Sequence, residues 1–137
     1  MTMNKAFAVA GSLAVALVAF GGLYLGGSPS EQRLLRLDER RVGDLRRLSR
    51  AVQRRWDKTT RLPQGLDELV DGQKLESVPL DPITDSRYAF EHESLNTYRL
   101  CADFSMPSVN PKPNDFWAHE AGYQCFAFTL VSRDESE

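Results

Sequence analysis

The chain has 137 residues, a formal net charge of −2, 26% charged and 42% hydrophobic residues, and two cysteines. After an apolar leader and its flank, that length leaves one small domain and excludes a second of ordinary size. The near-zero net charge hides an asymmetry: residues 31–58 carry ten Lys/Arg against five Asp/Glu, whereas residues 59–137 carry six against fourteen.

Residues 6–25 (AFAVAGSLAVALVAFGGLYL) hold no charge, and a helix of that length spans roughly 30 Å of hydrocarbon. A cleaved secretory signal is the alternative, with Lys5 before the run and Ala19 and Gly21 as a small-residue pair. The length of the run and poor sites near its end favour an uncleaved anchor. Lys and Arg counts near its ends, Lys5 before and Arg33, Arg36, Arg40 and Arg41 after, would place the head in the cytoplasm. A long polar head crosses largely regardless of charge, and paired cysteines need an oxidising compartment, so the expectation is N-in, C-out.

Ser28-Pro29-Ser30-Glu31 reads as a helix start, with Ser28 as N-cap, Pro29 in the first turn and Glu31 completing a capping box. Leu34, Leu35, Val42, Leu45, Leu48, Val52 and Trp56 recur at helical steps and form one apolar stripe, with arginines over the rest. Pro63 stops the helix near Lys58. Residues 64–71 (QGLDELVD) predict a short helix ended by Gly72, and residues 78–86 a turn-rich stretch.

Three strands are expected, over 87–92, 97–104 and 123–131, the first two joined by a hairpin-length loop. Alternation turns Tyr88, Phe90, Tyr98, Leu100, Ala102, Phe104, Phe126, Phe128 and Leu130 inward and puts Cys101 and Cys125 together on the opposite face. As cross-strand partners they would close a loop of about 24 residues. Residues 105–115 (SMPSVNPKPND) read as a long surface loop, and 133–137 as a disordered tail. The fold class is α+β: a transmembrane helix and linker over 1–29, then a head over 30–132 in which an amphipathic helix packs on a small three-stranded antiparallel sheet.

Leu62-Pro63, Leu66-Asp67-Glu68-Leu69, Asp81-Pro82, Tyr88 and Tyr98-Arg99-Leu100 follow one another in an order that resembles the head of the type IV pilin superfamily, above all the major pseudopilin of type II secretion. The resemblance covers about residues 34–104 and implies a pilin-like head. It departs at the leader. Pilins are cut after a glycine before the apolar helix and carry glutamate at the fifth position beyond; here Gly11 is followed by Ser12, the corresponding position is Ala16, and the first acid is Glu31. Pilin-type processing is therefore not expected. The resemblance also implies calcium near the long loop, with Asp103, Asn110, Asn114 and Asp115 as candidate oxygen ligands. Their spacing is not that of an EF-hand, and a solvated turn is favoured, so no cofactor is expected.

No phosphate loop, nucleophile elbow or spaced Cys–His pair is present, His92 and His119 lack a second ligand at zinc spacing, and Glu91 and Glu93 fall at a solvated hairpin. No enzymatic activity or small-molecule substrate is expected. Arg40, Arg41, Arg46, Arg47 and Arg50, together with Trp117, are the candidate contacts for anionic lipid or a protein partner. Nucleic acid is disfavoured, because no aromatic residues interleave with the arginines. The sequence thus predicts a non-catalytic accessory subunit of a larger bacterial inner-membrane complex, with its head in the periplasm. A pseudopilin-like component of a secretion or pilus assembly and a calcium- or lipid-binding module are the alternatives.

Overall fold

The computed structural model describes residues 2–26 and 28–131. The elements run α1 (Thr2–Gly26), α2 (Pro29–Thr59), one turn of 3-10 helix (Leu66–Leu69), β1 (Ala89–His92), β2 (Thr97–Phe104) and β3 (Gly122–Thr129). The chain divides into two compact units, Met1–Arg33 and Leu34–Glu137. The expected tail lies outside the described residues.

In the first unit, Lys5–Gly22 is long and apolar enough to cross a membrane. Phe7, Leu13, Leu17, Val18 and Phe20 are all more than half exposed. The capping box forms as the sequence implies: Glu31 Oε2 accepts from the Ser28 N–H at 2.9 Å, and the Glu31 N–H donates to Ser28 Oγ at 3.3 Å. That N–H holds the Glu31 carboxyl below its ordinary pKa.

In the second unit, β1, β2 and β3 form an antiparallel sheet in sequence order. One core joins Leu45, Leu48, Val52 and Trp56 of α2 to Tyr98, Leu100 and Phe104 of β2 and Phe126 of β3, with Leu62, Leu66, Leu69 and Leu75 closing its end. Each such side chain contributes roughly 1.5–3 kcal/mol of burial, most of it opposed by ordering entropy. The inward face holds as expected, except that Phe90 and Phe128 are only partly buried. Leu34, Leu35 and Val42 are half-buried, so the apolar contact of α2 is concentrated after residue 44.

Three boundaries differ from expectation. The short helix over 64–71 is a single 3-10 turn, because Gly65 is extended and supplies no side-chain cap. The Asp71 carboxylate then gathers the N–H groups of Gln73, Lys74 and Leu75 while Gly72 takes φ +70°, a left-handed turn that suits glycine. Arg87 makes an isolated bridge to Leu80 rather than opening β1, because the Asp81 N–H donates to Ser86 O and closes a tight loop there. β3 covers Gly122–Thr129 instead of 123–131.

Candidate functional site

The most organised group of polar side chains is buried. Asp38, Arg41 and Asp44 sit at steps of three along α2, on the same side as its apolar stripe, and are 2%, 3% and 5% exposed. Arg41 Nε donates to Asp81 Oδ2 at 2.6 Å and Nη2 to Asp81 Oδ1 at 3.1 Å, a two-point grip on one carboxylate. Arg41 Nη1 reaches Asp38 Oδ1 at 2.5 Å and Ser105 Oγ at 2.9 Å. Asp38 accepts in turn from the N–H groups of Ser105 and Met106, at 2.9 and 2.8 Å. Three segments far apart in sequence thus meet on one guanidinium: α2, the loop at 81–86, and the exit of β2.

Electrostatics match the geometry. Burial opposes ionisation of Asp81, but hydrogen bonds from Arg41 and from the N–H groups of Ile83 and Thr84 overcome it and hold the carboxyl at about 2. For Arg41, desolvation is likewise outweighed by its two carboxylate partners, and its pKa lies above the ordinary value. Beside this cluster, Tyr88 donates its hydroxyl to Asp44 Oδ2 at 3.0 Å. Burial first, and the Asp44 charge second, push the Tyr88 hydroxyl far up. Each of the two cluster carboxylates already meets the guanidinium and two backbone N–H groups, so the arrangement fixes position and presents no free nucleophile or base.

Arg41 therefore does not belong with the lipid- or partner-facing arginines among which the sequence placed it. Its face of the helix is turned into the fold, where two carboxylates cover the desolvation of its charge. Arg40, Arg46, Arg47 and Arg50 are exposed as expected. Trp117 is partly buried against the core, ring to ring with Phe126 and Phe128, and the Arg46 guanidinium lies 5.3 Å from its ring centroid. Next to this pair, Leu35, Val42, Pro107, Val109 and His119 help line a groove of about 600 Å³.

The candidate calcium ligands are mostly engaged in local structure. Asp103 is exposed on β2 opposite Tyr123. Asn110 and Asn114 occupy left-handed turn positions, and Asp115 Oδ1 accepts from the Trp117 N–H at 3.0 Å. Among the described residues no three His, Cys, Asp or Glu side chains gather closely enough to hold a metal ion together. His92 bonds Pro63 O through Nε2 at 2.8 Å, and His119 stacks on Phe104. Arg99 lies within 2.6 Å of Glu91 and 3.1 Å of Glu93. Cys101 and Cys125 are register partners and form a disulfide.

Sequence reasoning missed the buried cluster, although a signal was present. Asp38, Arg41 and Asp44 interrupt the apolar stripe between Leu35 and Leu45, at stripe positions where charges are costly unless paired. Comparison with protein families, with curated proteins and with solved structures finds no match.

Proposed function

We propose that the chain is a membrane-anchored, non-catalytic interaction subunit: α1 remains in a bacterial inner membrane as a single uncleaved span, and a pilin-like head stands in the periplasm as part of a larger complex. The observation that carries this reading is the helix Lys5–Gly22, uncharged after Lys5 and with its large apolar side chains exposed, a surface that lipid satisfies and water does not. The Cys101–Cys125 disulfide supports an oxidising compartment. A head whose buried carboxylates are spent on internal bonds supports a role in binding rather than chemistry.

The test uses the full chain expressed in a bacterium. Retention in carbonate-washed membranes, digestion of the head by protease added to spheroplasts, and migration in mild detergent with an assembly larger than the chain itself are the expected results. Recovery from the aqueous fraction with both thiols reduced, or a solitary monomer in detergent, would refute it. A second reading, a pseudopilin-like component of a secretion or pilus assembly, is favoured by the long helix laid over a three-stranded antiparallel sheet. Intact mass separates the two: a chain beginning at Met1 or Thr2 excludes pilin-type maturation.

A further inference from the structure

β3 is an open edge of the sheet, and the pairing fixes which of its backbone groups are used. Cys101 and Cys125 are direct partners with Cα atoms 4.0 Å apart, the close spacing of a non-hydrogen-bonded pair. In the same register the Leu130 N–H donates to Asn96 O at 2.8 Å. Even-numbered residues of β3 therefore bond β2, and the N–H and C=O groups of Tyr123, Cys125, Ala127 and Thr129 point away from the sheet. All four residues are exposed, and among the described residues nothing bonds to those groups.

Exposed edges are normally blunted by charge, proline, a bulge or shortness, because a free ladder templates pairing with another strand. β3 has none of these: it is eight residues, Gly-Tyr-Gln-Cys-Phe-Ala-Phe-Thr, paired without a bulge. The opposite edge differs, since β1 is four residues long and carries Glu91 and His92. Large exposed apolar side chains also gather by β3: Tyr123 is 59% exposed, Val131 follows at 61%, and Phe116, packed on Phe126 and Phe128, is 50% exposed.

We infer that this edge is closed by the same edge of a second copy of the chain, antiparallel, about a two-fold axis at Phe126. In that register Tyr123 faces Thr129 of the second copy and Cys125 faces its Ala127, and the reciprocal pairs repeat. Every outward N–H meets an outward C=O, two bonds per facing pair. A strand without formal charge sets no like charges opposite when it pairs with itself. The facing side chains also suit each other: an aromatic against a β-branched residue, and two small residues side by side. The contact is isologous and closes at two copies, joining the sheets into one of six strands. This inference does not rest on the proposed anchoring.

The test is sedimentation equilibrium of the full chain in density-matched mild detergent, with amide hydrogen exchange at β3. The expected results are a protein mass twice 15.4 kDa and protection of the Tyr123, Cys125, Ala127 and Thr129 amides. Ala127→Lys puts a charge on the exposed face of the edge and is expected to weaken dimerisation by about tenfold or more while native near-UV circular dichroism is kept. Ala127→Pro removes an outward N–H without breaking a bond to β2, at the cost of fixing φ there, and is expected to act the same way; if it unfolds, Ala127→Lys and the exchange pattern decide. A mass of one chain at all concentrations, or a dimer untouched by Ala127→Lys with those amides unprotected, would overturn the inference. So would protection of the four amides only within an assembly containing another protein, which would give the edge to a foreign strand.

Discussion

Replacing Arg41 by methionine keeps most of the side-chain volume and removes the charge on which three segments converge. Asp38 and Asp81 would then face a space with no cation, at 2% and 7% exposure. The two-point contact with Asp81 and the bonds to Asp38 and Ser105 would all be lost. Breaking a buried ion pair on one side costs about 3–5 kcal/mol, because the stranded charge remains desolvated. For a domain near 100 residues each kcal/mol shifts the melting temperature by about 4–8 °C, so a fall of at least about 12 °C is expected. The assay is thermal unfolding followed by near-UV circular dichroism, with Arg47→Met as the control. Arg47 has a 60% exposed side chain and touches Asp44 only at 4.0 Å, so its loss should stay within about 0.5 kcal/mol. Adding Asp81→Asn to Arg41→Met removes one stranded charge, and the double variant should lose about 1–3 kcal/mol less than the sum of the singles. Equal shifts for Arg41→Met and Arg47→Met, or strict additivity with Asp81→Asn, would refute the argument that the cluster holds the head together.

Further outcomes follow from the same physics. Because the Asp81 carboxyl is held at about 2 against an ordinary 3.8, its contribution is complete above the unfolded value and is lost as pH falls through the folded one. At 1.36 kcal/mol per unit that is about 2 kcal/mol, lost between roughly pH 4 and pH 2; melts across that range should show the fall, and Asp81→Asn should remove this share of it. Reduction of Cys101–Cys125, which closes a separation of 24 residues, should lower stability by about 3 kcal/mol in the chain-entropy account, read from melting with and without reductant. The two buried tyrosines should respond oppositely. Tyr88→Phe strips the donor from buried Asp44 and should cost about 1–3 kcal/mol. Tyr98→Phe removes a buried hydroxyl that has no hydrogen-bond partner among the described residues and should be neutral or stabilising in chemical or thermal denaturation.

Local pattern was legible where local physics decides the outcome. The capping box at Ser28 and Glu31, the end of α2 near Lys58 ahead of Pro63, the inward face of β2 and the shared face of Cys101 and Cys125 each depend on residues a few positions apart or on strict alternation. The burial of Arg41 was not legible, because on a helix an arginine at a stripe position differs from a surface arginine only by what stands opposite it. Its partners Asp81 and Ser105 lie 40 and 64 residues away. The β1 boundary failed for a related reason: alternation reaches back to Arg87, but the turn closed by Asp81 takes that residue out of the ladder. The outward half of the β3 ladder is a third case, since which backbone groups remain free depends on register, and register was not readable from one sequence.

The division of α2 into an ionic first half and an apolar second half has a consequence for how the head is aligned. Apolar side chains at steps of three, four and seven offer similar contact when a helix slides by a turn against a sheet, because burial is non-directional. Leu45, Leu48, Val52 and Trp56 therefore supply attraction with little preference for register. The guanidinium of Arg41 has no such tolerance. A slip of one turn, about 5.4 Å, would carry it beyond hydrogen-bond reach of Asp81, and Asp38 beyond the Ser105 and Met106 N–H groups. Two carboxylates would then be left buried and unpaired, a penalty comparable to the whole stability of a small domain. The cluster selects one alignment of helix on sheet, while the apolar half supplies most of the attraction. With the cluster neutralised by Asp38→Asn, Arg41→Met and Asp81→Asn together, the far-UV signal should persist while near-UV dichroism weakens and the β2 amides exchange faster, the signature of packing without a fixed register.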